Sequence, residues 1–411
     1  MQPVSSSAAP APGPRVLRHA RIAVAACFFL NAVLYANLVP RLPEVKEQLG
    51  LSNGSLGAAL AAFPLGALLA ALSSAALIRR AGSARVASFG LVALGTALWA
   101  VSVAPNWGTL AAVLLLAGAL DAVVDVAQNG HGLRVQRLYD RSILNSFHGI
   151  WSIGAVSGGL LGSAAAGLEI PLSLHLAGSA VVFGGVALVG YRALLPGPDD
   201  ADRGDPADEA ESATDDPAPA PVSRRSALPA LAALGVLAAC GAFVEDAGAS
   251  WSTLYLRNEL AAGAAAAGLG FVTLQAAMTI GRLTGDRVVD RFGQRRVVRA
   301  GGALTAVGMG LALAFPSVPA TLGGLALAGL GVATLVPAVF HTADELPGLP
   351  RGLGLAVSNW LLRIGFLVSP PLIGVLADAI SLRVALLTVV LAGLGALLLG
   401  RVLRTSVATA S

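Results

Sequence analysis

Two short stretches of this chain return at one fixed distance. Arg80-Ala81-Gly82 is echoed by Arg291-Phe292-Gly293, and Ile153-Gly154 by Ile364-Gly365, each pair 211 residues apart. Both halves are predominantly apolar, so the repeat implies a bundle of membrane helices duplicated in parallel, with its working site where the copies meet. Such an architecture belongs chiefly to transporters.

Of the 411 residues, 55% are hydrophobic and 12% charged, about half the charged share of an ordinary soluble domain. A membrane-spanning helix needs about 20 apolar residues, and twelve such runs can be read between residues 21 and 403, six per half. The expectation is an all-α membrane protein with twelve transmembrane helices in two pseudo-symmetric six-helix bundles. Residues 1–14 read as a disordered lead, 15–195 as the first bundle, 196–227 as an acidic linker, 228–404 as the second bundle and 405–411 as a tail. Arg15, Arg18 and Arg21 before an apolar run imitate a secretory signal, but the run starts deep and further spans follow, so it reads as the first helix.

Basic residues crowd into alternate loops: Arg79, Arg80 and Arg85; Arg134, Arg137 and Arg141; Arg287, Arg291, Arg295, Arg296 and Arg299. By the positive-inside rule these loops and both termini are cytoplasmic, with Arg401 and Arg404 closing the chain. The net charge of +4 therefore reflects membrane orientation and gives no argument for nucleic acid as a partner. The expected partners are the lipid bilayer, protons and a small-molecule substrate, met by a monomer in a bacterial cytoplasmic membrane. No metal-ligand spacing or nucleophile elbow appears, so neither an enzyme nor a cofactor is expected. Cys27 and Cys240 fall in spans of different halves and read as buried packing residues.

The functional signal lies in ionisable side chains that no loop explains. Asp121 and Asp125 are one helical turn apart with Asn129 a turn further, so all three share one face of the fourth span. Glu245 and Asp246 interrupt the seventh span, and Arg363 stands near the middle of the eleventh. A charge at mid-membrane costs about 2.5–3.5 kcal/mol on the lenient insertion scale, so these groups face a cavity or a partner. Two aspartates in low dielectric resist being ionised together, and such a pair can bind and release a proton. Asp125 and then Glu245 are the expected proton carriers. Asp121 and Asp246 rank lower, as a charge partner and a rim residue. A proton crossing about 150 mV releases about 3.5 kcal/mol, enough for roughly 300-fold accumulation of a neutral solute.

Two readings of Arg363 stay open. It is either a strut neutralised by Asp121, Asp125 or Glu245, or a fork that holds a carboxylate or phosphate. Around it Asn31, Tyr35, Asn37, Trp251, Gln275, Asn359 and Trp360 offer hydrogen bonds and aromatic faces suited to sugars or small polar metabolites. Gly154, Gly158 and Gly162 leave one helix face bare for a close neighbour, which reads first as tight packing and second as a sliding surface. Pro64, Pro337 and Pro370-Pro371 interrupt spans. Asp290-Arg291-Phe292-Gly293-Gln294-Arg295-Arg296 reads as a cytoplasmic latch. Its first-half copy, Arg79-Arg80-Ala81-Gly82, keeps the turn and loses the acid, so the two latches differ in strength.

These features together resemble the major facilitator superfamily, whose signature loop follows the second helix of each half. Arg41-Leu42-Pro43, Ser146-Phe147-His148-Gly149, Ala242-Phe243-Val244-Glu245, Gly281-Arg282-Leu283-Thr284-Gly285 and Phe366-Leu367-Val368-Ser369-Pro370-Pro371-Leu372 resemble its YbjJ-like branch, related to fucose permease. That resemblance implies a secondary transporter working by alternating access. It carries a role in proton coupling and sugar binding onto Asp125 and Asn129 alone, since the first helix offers Asn31 and Asn37 where fucose permease uses an acid. Symport of a sugar-like solute or organic acid is the leading expectation. Proton-driven export of drugs or metabolites and a non-transporting sensor are the rivals.

Overall fold

The computed structural model describes residues 13–139, 142–197, 199, 224–346, 349 and 352–403. Most of the expected lead and acidic linker, together with Arg141, Arg404 and the tail, lies outside the described residues. Among the described residues twelve helices are long and apolar enough to cross a membrane.

The first half comprises α1 (Pro14–Ala36, continued by a 3₁₀ turn at Val39–Arg41 and a short helix Leu42–Gln48), α2 (Asn53–Leu60, then Ala62–Ala81), α3 (Ser83–Val101), α4 (Trp107–Arg137), α5 (Leu144–Gly167) and α6 (Leu172–Tyr191). The second comprises α7 (Arg224–Asn258), α8 (Ala264–Phe292), α9 (Gln294–Ala314), α10 (Val318–Val332, then Leu335–Asp344), α11 (Leu353–Ala379) and α12 (Leu382–Ala385, then Leu387–Leu399). Packing repeats from half to half: α1 on α5 and α7 on α11, α2 on α4 and α8 on α10, α3 on α6 and α9 on α12.

Local chemistry sets the helix ends. Gly82 (φ 84°, ψ 145°) and Gly293 (φ 82°, ψ 145°) make the same turn 211 residues apart, in a backbone region that favours glycine. The ring of Pro64 clashes with the carbonyl four residues back, and the first segment of α2 ends there, at Leu60. Pro337 acts likewise on Ala333, where α10 is interrupted. Pro370-Pro371 departs from the expected interruption, because α11 runs unbroken through both. At this point the helix is closely packed, with Gly57 of α2 against the Pro370 carbonyl.

The bare face of α5 serves tight packing. Gly154, Gly158 and Gly162 lie against the backbone carbonyls of Phe29, Val33 and Asn37, so the two helices mesh at every fourth residue within one half. A neighbouring face of α5 meets the other half: Gly159 lies against Phe271 and Val272, and Ser163 against Gly268 of α8. The twin contact joins α2 to α11, where Gly374 packs on the carbonyl of Asn53. Both seam contacts lie at the end of the bundle that carries the α1–α2, α5–α6, α7–α8 and α11–α12 connections. The basic turns at Gly82 and Gly293 lie at the opposite end.

Arg41 stabilises the closed end. It is buried to 1% exposure, forks onto Glu44 at 2.6 and 2.5 Å, donates to the Ile170 carbonyl at 2.6 Å and meets His175 Nδ1 at 3.1 Å. A cation so enclosed persists because every one of these partners is present.

Candidate functional site in the seam

The acids of α4 divide into one that is pinned and one that is presented. Asn31 Nδ2 donates to Asp121 Oδ1 at 2.7 Å, and Trp151 Nε1 donates to Asn31 Oδ1 at 2.9 Å. That chain crosses α4, α1 and α5, and it holds Asp121 inside its own half. One turn on, Asp125 is exposed at the seam and accepts from Asn129 Nδ2 at 3.0 Å and Gln128 Nε2 at 3.3 Å. Asn129 also donates to the Asp125 carbonyl at 2.9 Å, so the shared face read from spacing is realised.

Across the seam, Arg363 of α11 is half-buried and has no hydrogen bond or ion pair among the described residues. The acid Asp125, the cation Arg363 and the imidazole of His148 thus come from three helices, α4, α11 and α5. The strut reading of Arg363 is not realised in this conformation, since no carboxylate closes on it.

The pair on α7 is sorted differently from the sequence ranking. Glu245 Oε2 lies 3.4 Å from the Arg282 guanidinium of α8, so its charge is matched within its own half. Asp246 is no rim residue. Ser250 Oγ donates to its Oδ1 at 3.2 Å, while Oδ2 is buried and meets no hydrogen-bond geometry among the described residues, the hydroxyl of Ser369 on α11 being the neighbouring polar group. The ring centroid of Tyr35 on α1 lies 4.5 Å from that of Phe63 on α2.

The remaining candidates are not presented equally. Trp360 is exposed and Asn359 half-buried on α11, one turn from Arg363. Among the described residues, Trp251 is fully buried with its indole N–H unpartnered, and Gln275 is buried with its side-chain carbonyl unpartnered. Neither is presented to solvent here. Asn37 is spent at the end of α1, donating to Val33 and Leu34 carbonyls at 3.0 and 2.7 Å.

At the basic end Arg79, Arg80, Asp290, Arg291 and Arg296 are exposed. Arg295 is held within its own half by the Leu403 carbonyl at 2.8 Å, and Arg291 lies 5.5 Å from the Phe292 ring centroid. The acid that the first-half turn lacks arrives from elsewhere in the chain. Asp199, beyond α6, accepts from the Ser83 backbone N–H at 2.8 Å and its hydroxyl at 2.5 Å, and so caps α3. His131 bridges this cap to the Leu195 N–H, which fixes its Nε2 as acceptor and its Nδ1 as donor to Ser83 Oγ.

Sequence reasoning overlooked Arg282, His148, Gln128 and Asp199 as participants. Arg282 and His148 sit inside quoted motifs, and an intramembrane cation such as Arg282 signals a carboxylate partner. Asp199 gives no such signal, being one acid among nine in a polar stretch.

A family model described as Major Facilitator Superfamily matches residues 24–245 and 231–410. Membrane protein MosC of Rhizobium meliloti is 30% identical over 381 residues, covering 90% of this chain and 87% of that protein. Among solved structures, a bacterial homolog of the human lysosomal transporter Spinster, inward-facing and unoccupied, aligns with TM-score 0.72 at 15% identity, covering 95% of this chain and 98% of its own. The E. coli fucose:proton symporter FucP aligns with TM-score 0.57 at 17% identity, covering 93% and 97%. The duplicated six-helix halves, the shared glycine turns and these matches make the chain a member of the major facilitator superfamily, a multi-pass membrane transporter and not an enzyme.

Proposed function

We propose that this transporter moves a small polar solute, sugar-like or an organic acid, together with protons by alternating access in a bacterial cytoplasmic membrane, its termini cytoplasmic. The observation that carries the reading is Asp125: an exposed carboxylate on α4, held by amides of its own helix, while Arg363 in the other half has no hydrogen bond or ion pair among the described residues. A carboxylate so placed exchanges a proton with the open side, and closure of the seam changes its distance to the opposing cation. Asn129, which holds Asp125, shares with it the role in proton coupling and sugar binding that the family resemblance implies.

Of the two acids on α7, Glu245 is matched by Arg282, and Asp246 keeps an oxygen that a proton would turn into a donor. Asp246 therefore joins Asp125 as a proton carrier, with Glu245 holding Arg282 in place. Arg363 suits the carboxylate or phosphate of an anionic solute, with Trp360 and Asn359 beside it. The positive-inside rule supports a cytoplasmic location for the basic end.

The test uses proteoliposomes carrying a luminal pH dye, challenged with a panel of sugars and carboxylates. A symported solute acidifies the lumen as it enters. Luminal alkalinisation on solute entry marks an antiporter, and binding with no proton or solute movement marks a sensor.

A further inference from the structure

Two hydrogen bonds cross the seam at the closed end, and both finish on one carboxylate. Asp378, near the end of α11, accepts from the backbone N–H of Asn53 at 2.9 Å and of Gly54 at 2.7 Å. These are the first amides of α2, which have no partner inside their own helix and sit at its positive end. The ordinary cap is already in place, since Ser52 accepts from the Ser55 N–H. Asp378 is thus a second cap supplied by the opposite half. Gly54 permits the approach: a Cβ there would stand 2.9 Å from Asp378 Oδ2.

The duplication provides an internal comparison. Shifted by 211 residues, Gly54 maps on Ala265 and Asp378 on Gly167, and these two also touch, Ala265 against Gly167. The twin contact therefore has the same geometry without the acid. The start of α8 is preceded by Gly263 and receives no side-chain cap. One of two equivalent seam contacts carries a charge-assisted bond and the other carries van der Waals contact alone.

We propose that Asp378 is a positioning residue for transport: by capping α2 from across the seam it latches the closed end and sets the balance between the two access states. The α2 amides are matched by Asp378 only while this end is shut. Opening exposes them to water and releases the carboxylate, so the bond favours one state over the other, which is what a latch requires. The inference rests on the alternating movement of the halves and is independent of which residue carries a proton.

The experiment measures the distance between nitroxides on Leu174→Cys and Phe315→Cys, exposed positions near the closed end of opposite halves, with Cys27 and Cys240 replaced by Ala and the protein in nanodiscs. Asp378→Asn is expected to raise the ratio of long to short distances roughly threefold to tenfold, the range for a surface charge at a helix terminus combined with a charged hydrogen bond. Moving the pair to its twin, by adding Gly167→Asp with Ala265→Gly to Asp378→Asn, is expected to restore the short distance. An unchanged distribution in Asp378→Asn overturns the proposal. A lengthened distribution that the relocated pair fails to shorten also overturns it, because the acid would then act by general packing.

Discussion

Asp125 on α4 is exposed and Arg363 on α11 is half-buried, in opposite halves and with no hydrogen bond or ion pair joining them among the described residues. A cation left unpaired at a half-buried position is costly unless a ligand or a second conformation completes it. Arg363→Gln is therefore expected to raise KM for an anionic solute at least about tenfold, about 1.4 kcal/mol, with Tm changed by less than about 2 °C. Arg363→Lys should recover part of the loss, because an ammonium keeps the charge and loses the fork. Solute-dependent proton flux in proteoliposomes gives both values, and an equal loss of Tm and transport would make Arg363 structural.

Glu245 and Arg282 form a pair whose members are each expected to be worse alone than absent together. Glu245→Gln leaves the Arg282 guanidinium unmatched, and Arg282→Gln leaves the carboxylate so. The double substitution should retain more transport than the poorer single one, the signature of coupled neighbours. Independent losses that simply add would show that the 3.4 Å contact carries no energy.

Gly158 packs within reach of the Val33 carbonyl, where a Cβ would stand 2.7 Å from the oxygen. Gly158→Leu forces α1 and α5 apart and is expected to cost about 3 kcal/mol or more. Gly178 on α6 has open space around it, so Gly178→Leu serves as control. Thermal unfolding in detergent should show a Tm loss of at least about 5 °C for the first and almost none for the second.

Asp199 holds the start of the linker on the α2–α3 turn. Asp199→Ala is expected to cost about 0.5–2 kcal/mol as a lost cap and to speed proteolytic cleavage near residues 195–199, with Ser83→Ala giving a weaker effect in the same direction. Limited proteolysis followed by mass spectrometry reads the difference. Cleavage at an unchanged rate would remove the cap from the account.

The sequence made legible whatever depends on local spacing. The twelve spans, the halves 211 residues apart, the glycine turns at 82 and 293 and the shared face of Asp121, Asp125 and Asn129 all follow from residues within a few turns of one another or from repetition. The helix breaks before Pro64 and Pro337 follow equally from one ring and one carbonyl. Pairing across distance was not legible. Glu245 meets Arg282 37 residues away, Ser83 meets Asp199 116 away, and Asn53 meets Asp378 325 away. No helical period reports such contacts, which is why Glu245 ranked above Asp246 on position alone and why Asp378, near the end of its span, drew no notice. Burial was equally hidden: Trp251 and Gln275 carry the polar groups a binding site needs, yet the packing of α7 and α8 turns them away from solvent.

The central claim is that Asp125 carries the coupled proton, and Asp125→Asn tests it most directly. The amide keeps the shape of the side chain and cannot exchange the charge. Purified variant and wild type are reconstituted with the solute identified by the pH-dye screen. Uptake is followed twice, once driven by an imposed pH gradient and once as exchange against luminal solute. The account predicts that gradient-driven accumulation is abolished while exchange proceeds within about threefold of wild type. Accumulation equal to wild type in Asp125→Asn would contradict it.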